Sequence, residues 1–192
     1  MGLRNILDVH DETLRKICRP VENFDRRLHI LLDDLADTAR ESEGAGIAAP
    51  QVGILRRVCV IYTSDDENAK PVYFVNPEII RAEGTQEGPE GCLSVPNRTG
   101  LVIRPQEITV RAQDKNGIFF DFDAVGFNAR TLCHEIDHLD GKIYTDLMIR
   151  LMTNDEVDEW ERKNPNYWSS PVKSKQRIRP KRSKYKPKKS RG

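Results

Sequence analysis

Phe127-Asn128-Ala129-Arg130-Thr131-Leu132-Cys133-His134-Glu135-Ile136-Asp137-His138-Leu139 is the stretch on which the reading of the fold turns. It reads as a helix, and Asp140-Gly141 closes it. Inside it lies an HExxH pattern, His134 to His138. Two His at i and i+4 project from one helix face, one turn apart, and can share a metal ion. Glu135 points to an adjacent face, where it can reach a water beside that metal without being a ligand. The chain has 4 His in all, so two of them spaced around a Glu stand apart from an ordinary solvated helix face. Cys133 lies about 100° around the helix from His134 and is read as a non-ligand.

Upstream of this helix the pattern is extended. Arg57–Tyr62, Val72–Val75, Glu78–Ala82, Leu101–Arg104, Glu107–Gln113 and Ile118–Ala124 read as strands. Asp114-Lys115-Asn116-Gly117 reads as a hairpin turn, because Asn-Gly tolerates positive φ. Phe119 to Asp123 alternates apolar and acidic, as a half-buried strand does. Asp11–Ile17 reads as a short helix with Asp11 as its cap. Phe24–Glu43 is a long helix, with Leu28, Leu31, Leu32, Leu35 and Ala39 at helical spacing. Thr153/Asn154 caps a third helix, Asp155–Lys163. The order predicts an α+β fold, with antiparallel or mixed strands packed around a central helix that carries HExxH.

A catalytic site needs a third protein ligand. Where another HExxH class places a His, this chain has Tyr144. Spacing leaves two options open: an acid on the following helix (Glu156, Asp158 or Glu159), or Cys92 in Glu90-Gly91-Cys92-Leu93-Ser94. Taken alone, Cys92 reads as a buried free thiol. The four cysteines, Cys18, Cys59, Cys92 and Cys133, form no CxxC pair and are read as free. A zinc deaminase would need HxE with PCxxC, and neither occurs.

Charge divides the chain. It carries 31 Lys/Arg and 30 Asp/Glu over 192 residues, a net of +1. All 30 acids lie in residues 1–161, with 18 bases, a net of −12; residues 162–192 hold the other 13 bases and no acid. The expected organisation is a catalytic domain over 1–163 and a basic, disordered tail over 164–192, rich in Pro and Ser. No apolar run approaches the roughly 20 residues that cross a bilayer. Met1–Ile6 lacks the apolar core of a secretory signal. The expected compartment is therefore the cytoplasm, with no membrane partner.

Three segments in order resemble the peptide deformylase family. Gly44-Ala45-Gly46-Ile47-Ala48-Ala49-Pro50-Gln51 resembles its GxGxAAxQ motif, Glu90–Ser94 its EGCLS motif and His134–His138 its HExDH motif. The resemblance covers about residues 1–150. It implies a hydrolase that takes the formyl group from the N-terminal formylmethionine of nascent polypeptides. It implies that Cys92, His134 and His138 hold one divalent metal, natively Fe(II), with Zn, Ni or Co possible after purification. Glu135 is the implied general acid and base. The Gln51 amide and the Leu93 backbone N–H are the implied donors to the formyl oxygen. Gly46, Gly91, Phe127 and Arg130 are expected along the substrate. Glu90 with Arg104 is expected to brace the Cys92 loop. The family more often has Gln at the position of Cys133. Since such an enzyme meets chains emerging from the ribosome, the tail is expected to contact ribosomal RNA or protein, with Tyr167, Trp168 and Tyr185 among its bases.

Overall fold

The structure, a computed structural model, describes residues 2–64 and 69–167 together with the backbone of 177–178. It has an α+β architecture with two antiparallel sheets. Six strands form the larger sheet: β1 (Gly46–Ala48), β2 (Val58–Ile61), β3 (Val72–Glu83), β6 (Glu107–Gln113), β7 (Phe119–Val125) and β9 (Arg177–Ile178), neighbours in that order. The smaller sheet is β4 (Gln86–Cys92), β5 (Val95–Arg104) and β8 (Arg150–Met152), again in that order. Among the described residues three α-helices accompany them: α1 (Arg26–Glu41), α2 (Phe127–Leu139) and α3 (Asn154–Lys163).

The larger sheet is covered on both faces near β2. Val58 and Val60 join Leu28, Leu31, Leu32 and Leu35 of α1 in one apolar cluster. Cys59 and Ile61 join Ala129, Leu132, Cys133, Ile136 and Leu139 of α2 in another. Alternate strand residues point to opposite faces, so a strand between two helices needs an unbroken apolar run. That is why Val58-Cys59-Val60-Ile61 has no polar interruption. β7 instead alternates, with Phe120, Phe122 and Ala124 buried and Asp121 and Asp123 less so. Phe122 meets Phe74 of β3 edge to face, at 5.3 Å between centroids.

α2 is buried along nearly its whole length; among its residues only Phe127 and Asp137 are not. Its apolar stripe lies on the larger sheet. Arg130, His134 and Asp137 turn toward the smaller sheet, where they meet Glu90 and Arg104.

The expected helices form: α2 has the bounds expected, α1 is shorter by two residues at each end, and α3 starts one residue earlier. Asp25 caps α1 by accepting from Leu28 N–H, and Thr153 with Glu156 makes a capping box on α3. Asp11 does cap its segment, but the helix there is a single 3-10 turn, Glu12–Arg15. Val72–Val75 and Glu78–Ala82 are one strand with an irregularity between them. There Asn76, at φ 52°, uses its side chain to hold Val21 and Gln113. β1, β4 and β8 carried no strand signal. β4 reads Gln-Glu-Gly-Pro-Glu-Gly-Cys, a composition of turn residues that pairing with β5 overrides.

The expected disorder of 164–192 falls largely on residues outside those described, Trp168 and Tyr185 included. Tyr167 is described, and its hydroxyl hydrogen-bonds to the catalytic-side framework at Arg130 and Gln86. The backbone of Arg177–Ile178 pairs with Phe120 and Asp121 of β7.

The C-terminal end of α2 is held by the N-terminal segment. Cys18 N–H donates to the Leu139 carbonyl at 2.9 Å. Gly141 lies just beyond at φ 73°, and a Cβ there would lie 2.5 Å from the Arg15 carbonyl oxygen. Gly141→Ala meets both left-handed strain and a backbone clash, and is expected to destabilise the fold by about 2–4 kcal/mol in urea unfolding.

Candidate metal centre

Cys92 ends β4, and His134 and His138 stand one turn apart on α2. Their ligand atoms all lie within 4.8 Å of one another, and among the described residues this is the one such group of His, Cys and acids. Cys92 Sγ is 3.3 Å from His138 Nε2. The acids that spacing had left open lie elsewhere. Glu156 pairs with Arg150 and Glu159 with Lys163 on the exposed face of α3. Tyr144, at the place of a third His in the other HExxH class, stacks its ring on His134 at 6.0 Å.

The three candidate ligands are held from behind. Glu90 is 5% exposed and spends both oxygens. Oε1 accepts from Arg104 Nε and from Arg130 Nη1, each at 2.8 Å. Oε2 accepts from Arg104 Nη2 at 3.0 Å and faces His134 Nδ1 at 3.1 Å. Burial works to raise the Glu90 carboxyl, but His134 and Arg104 outweigh it and bring it down to about 2. A permanent carboxylate beside Nδ1 holds a proton there and fixes the orientation of the ring. Arg104 also reaches Asp137 at 2.5 Å, so the Asp of HExDH belongs to this cluster. The expected Glu90–Arg104 pair is present, and Arg130 is its third member.

Burial, with the nearby His134 and Arg104, pushes His138 well below its ordinary value and keeps it neutral. Burial also works against charge on His134, but its hydrogen bonds to Cys92 and Glu90 push it well above. A thiol and two imidazoles facing one another fit a borderline-soft divalent metal.

Glu135 lies beside this point, 4% exposed. Its Oε2 has no hydrogen-bond partner, and burial pushes its carboxyl up to about 7. Near neutral pH it can therefore both take and give a proton. It fits because Gly46 has no side chain: a Cβ there would sit 2.9 Å from Glu135 Oε1. Gly44 likewise makes room for Leu93, whose Cδ1 would be 2.9 Å from a Cβ.

Gln51 is buried after β1. Its Oε1 accepts from Ala48 N–H at 2.8 Å, which fixes the amide so that Nε2 faces Cys92 Sγ at 3.5 Å and Ser94 Oγ at 3.4 Å. Gln51, Glu90, Cys92, His134 and Glu135 line a cleft of about 480 Å³. Gly46, Gly91, Leu93, Phe127, Arg130 and Thr131 are among its walls. Arg130 is only 1% exposed and its guanidinium is committed to Glu90 and to the Val102 carbonyl. Cys133 packs in the apolar cluster under the larger sheet, and burial pushes its thiol up to about 11. It is neither ligand nor a ready target for oxidation. Sequence reasoning missed Tyr144 and Tyr167 as neighbours of the site, since each arrives from a segment with no motif of its own; Ser94 lies inside the Glu90–Ser94 motif but had no role assigned to it.

Residues 3–154 match the family model described as polypeptide deformylase. A peptide deformylase of Caldicellulosiruptor bescii is 49% identical over 159 residues, covering 83% of this chain and 93% of that protein. The crystal structure of a peptide deformylase from Legionella pneumophila superposes with a TM-score of 0.74 at 38% identity, covering 85% of this chain and 98% of that one. A class I type b peptide deformylase from Acinetobacter baumannii, solved with Met-Ala-Ser bound, gives 0.72 at 32% identity, covering 77% and 99%. With its Cys92–His134–His138 cluster set in the same fold, the chain belongs to the polypeptide deformylase family.

Proposed function

We propose that this chain hydrolyses the formyl group from the N-terminal formylmethionine of nascent polypeptides, with Cys92, His134 and His138 as the ligands of one divalent metal. The observation that carries this reading is the buried Glu135 carboxylate, its Oε2 without a hydrogen-bond partner, beside three converging soft and borderline donors. The Met-Ala-Ser tripeptide bound by the Acinetobacter relative is a deformylated product by its chemistry, and it supports the same substrate class here.

A formamide resists water because resonance weakens its carbonyl carbon and because water is a poor nucleophile at neutral pH. The bound metal supplies Lewis acidity and lowers the pKa of a water. Glu135 takes the proton as the water attacks the formyl carbon. It then passes a proton to the amine that leaves, so formate and a free N-terminus are released. As the carbon becomes tetrahedral, negative charge gathers on the formyl oxygen. Gln51 Nε2–H and the Leu93 backbone N–H are the donors there. Since Ala48 holds the other end of the Gln51 amide, this donor needs no reorientation during the reaction. Gly46 and Gly91 let the peptide lie close to the backbone. Phe127, with Thr131 and the stem of Arg130, forms the apolar wall for the methionine side chain.

The ligand set suits Fe(II), Zn, Ni or Co, and the family resemblance points to Fe(II) as the native metal. Among the described residues no helix is long and apolar enough to cross a membrane. A cytoplasmic enzyme with ribosome-borne substrate accords with that. The basic tail would then serve as a tether between a body of net charge −12 and an anionic surface.

Anaerobic purification followed by metal analysis and a formate-release assay on formyl-Met-Ala-Ser tests the reaction. Glu135→Ala should keep its metal and lose about 10²–10⁴ in kcat. Gln51→Leu should lose about 10²–10³, and Cys92→Ala should lose the metal. Metal retained in Cys92→Ala would sink the ligand assignment. For the tail, a chain ending at Tyr167 should cosediment with ribosomes less than the full chain. Binding of the full chain should fall with log[salt] at a slope of about −4 to −5 if some six phosphates are met; equal cosedimentation refutes the tether.

A further inference from the structure

The C-terminal segment does more than extend the family-matched residues 3–154. α3 turns back over β4, and Tyr167 reaches the rear of the metal centre. Gly88 of β4 permits the approach: a Cβ there would lie 3.1 Å from Trp160 Cζ2 and 3.3 Å from Arg130 Nη2. Trp160 meets the Tyr167 ring edge to face at 4.8 Å, and Phe127 meets it at 6.1 Å. One ring is thus held between α3 and the first turn of α2.

Its hydroxyl makes two bonds that cross the molecule. It accepts from Arg130 Nε at 2.5 Å and donates to Gln86 Oε1 at 2.6 Å. Gln86 is buried and spends its amide nitrogen on the carbonyls of Pro105 and Gly126, both at 2.8 Å. Gly126 caps α2, so Gln86 ties the start of the ligand-bearing helix to Tyr167. Arg130 carries the other branch. Its Nη1 donates to the Glu90 oxygen that Arg104 Nε also uses, and the second Glu90 oxygen faces His134 Nδ1. Without the hydroxyl, a buried guanidinium N–H and a buried amide oxygen each lose this partner. Such groups shift to find another.

We infer that Tyr167 is a positioning residue of the metal centre: its hydroxyl bridges Gln86 and Arg130 and, through Arg130, sets Glu90 against His134. It touches neither metal nor substrate, and it lies beyond the segment that carries the family's motifs. The inference rests on the deformylase reading of the metal centre and adds a residue to it.

The test uses the full chain with cobalt(II) in place of the native metal. Wild type, Tyr167→Phe, Glu90→Gln, the double variant and Trp160→Phe are compared. Three quantities are read: cobalt affinity by chelator competition, the thiolate-to-cobalt absorption band, and melting temperature. Tyr167→Phe keeps the ring between Trp160 and Phe127 and removes only the hydroxyl. It is expected to weaken cobalt binding about 3- to 10-fold and to shift the band, less than the roughly 10- to 100-fold expected of Glu90→Gln, a direct partner of a ligand. The double variant should bind cobalt no more weakly than Glu90→Gln alone, because both act through one carboxylate. Trp160→Phe should lower the melting temperature and leave the affinity unchanged. Unchanged affinity and band in Tyr167→Phe overturn the inference, whatever happens to its melting temperature. So do losses that add in full, or an equal weakening by Trp160→Phe. A wild-type chain with neither a thiolate–cobalt band nor formate release overturns the deformylase reading itself, and the inference with it.

Discussion

The Glu90 carboxylate is the constraint on which the rest depends. A lone buried carboxylate is costly, and proteins keep one only where donors satisfy its oxygens. Here both Glu90 oxygens are shared among Arg104, Arg130 and His134. Those partners come from β5 and α2, while Glu90 sits on β4. One ionic cluster therefore joins the smaller sheet to the helix where apolar side chains do not. Two residues beyond Glu90, past an irregularity in the pairing of β4 with β5, the strand delivers Cys92. The two ligands from the helix and the one from the strand are thereby referred to a common point.

The helix α2 has to satisfy two environments at once. One stripe carries Ala129, Leu132, Cys133, Ile136 and Leu139 into the apolar cluster beneath the larger sheet. The opposite stripe carries Arg130, His134 and Asp137 toward the ionic cluster. Glu135 falls between them and meets β1, where only a glycine leaves room for a carboxylate. The cleft results from this seam. It is polar where the smaller sheet and α2 face each other, and apolar where Phe127 and Leu93 close it. Burial of Glu135 with one oxygen partnerless is a cost to the fold, and it accords with the proton-transfer role proposed for this residue.

Some of this was legible residue by residue. The His134–Glu135–His138 spacing marked a metal-binding helix face, because a helix repeats every 3.6 residues whatever surrounds it. The apolar run within Arg57–Tyr62 marked a strand, and the structure covers it on both faces. Asp11, Asp25 and Thr153 act as the caps that short polar side chains favour. The third member of the Cys92–His134–His138 group was not legible in that way, since spacing left Cys92, Glu156, Asp158 and Glu159 open, and only the resemblance to a known family chose among them.

What the sequence determined by itself was local: helix faces, strand runs, caps, and an acidic body with a basic tail. These come from backbone periodicity and from charge, which need no partner to be expressed. Tertiary structure alone decided which distant groups meet. It placed Cys92 against His138 and made a strand of the Gly- and Pro-rich stretch Gln86–Cys92. It stacked Tyr144 on His134 and brought Tyr167 from the expected tail onto Arg130. The physical reason is the same in each case. A strand of turn-forming residues, a buried ion cluster and a partnerless carboxylate are unfavourable taken singly, and they hold only when pairing and packing from remote segments act on them together.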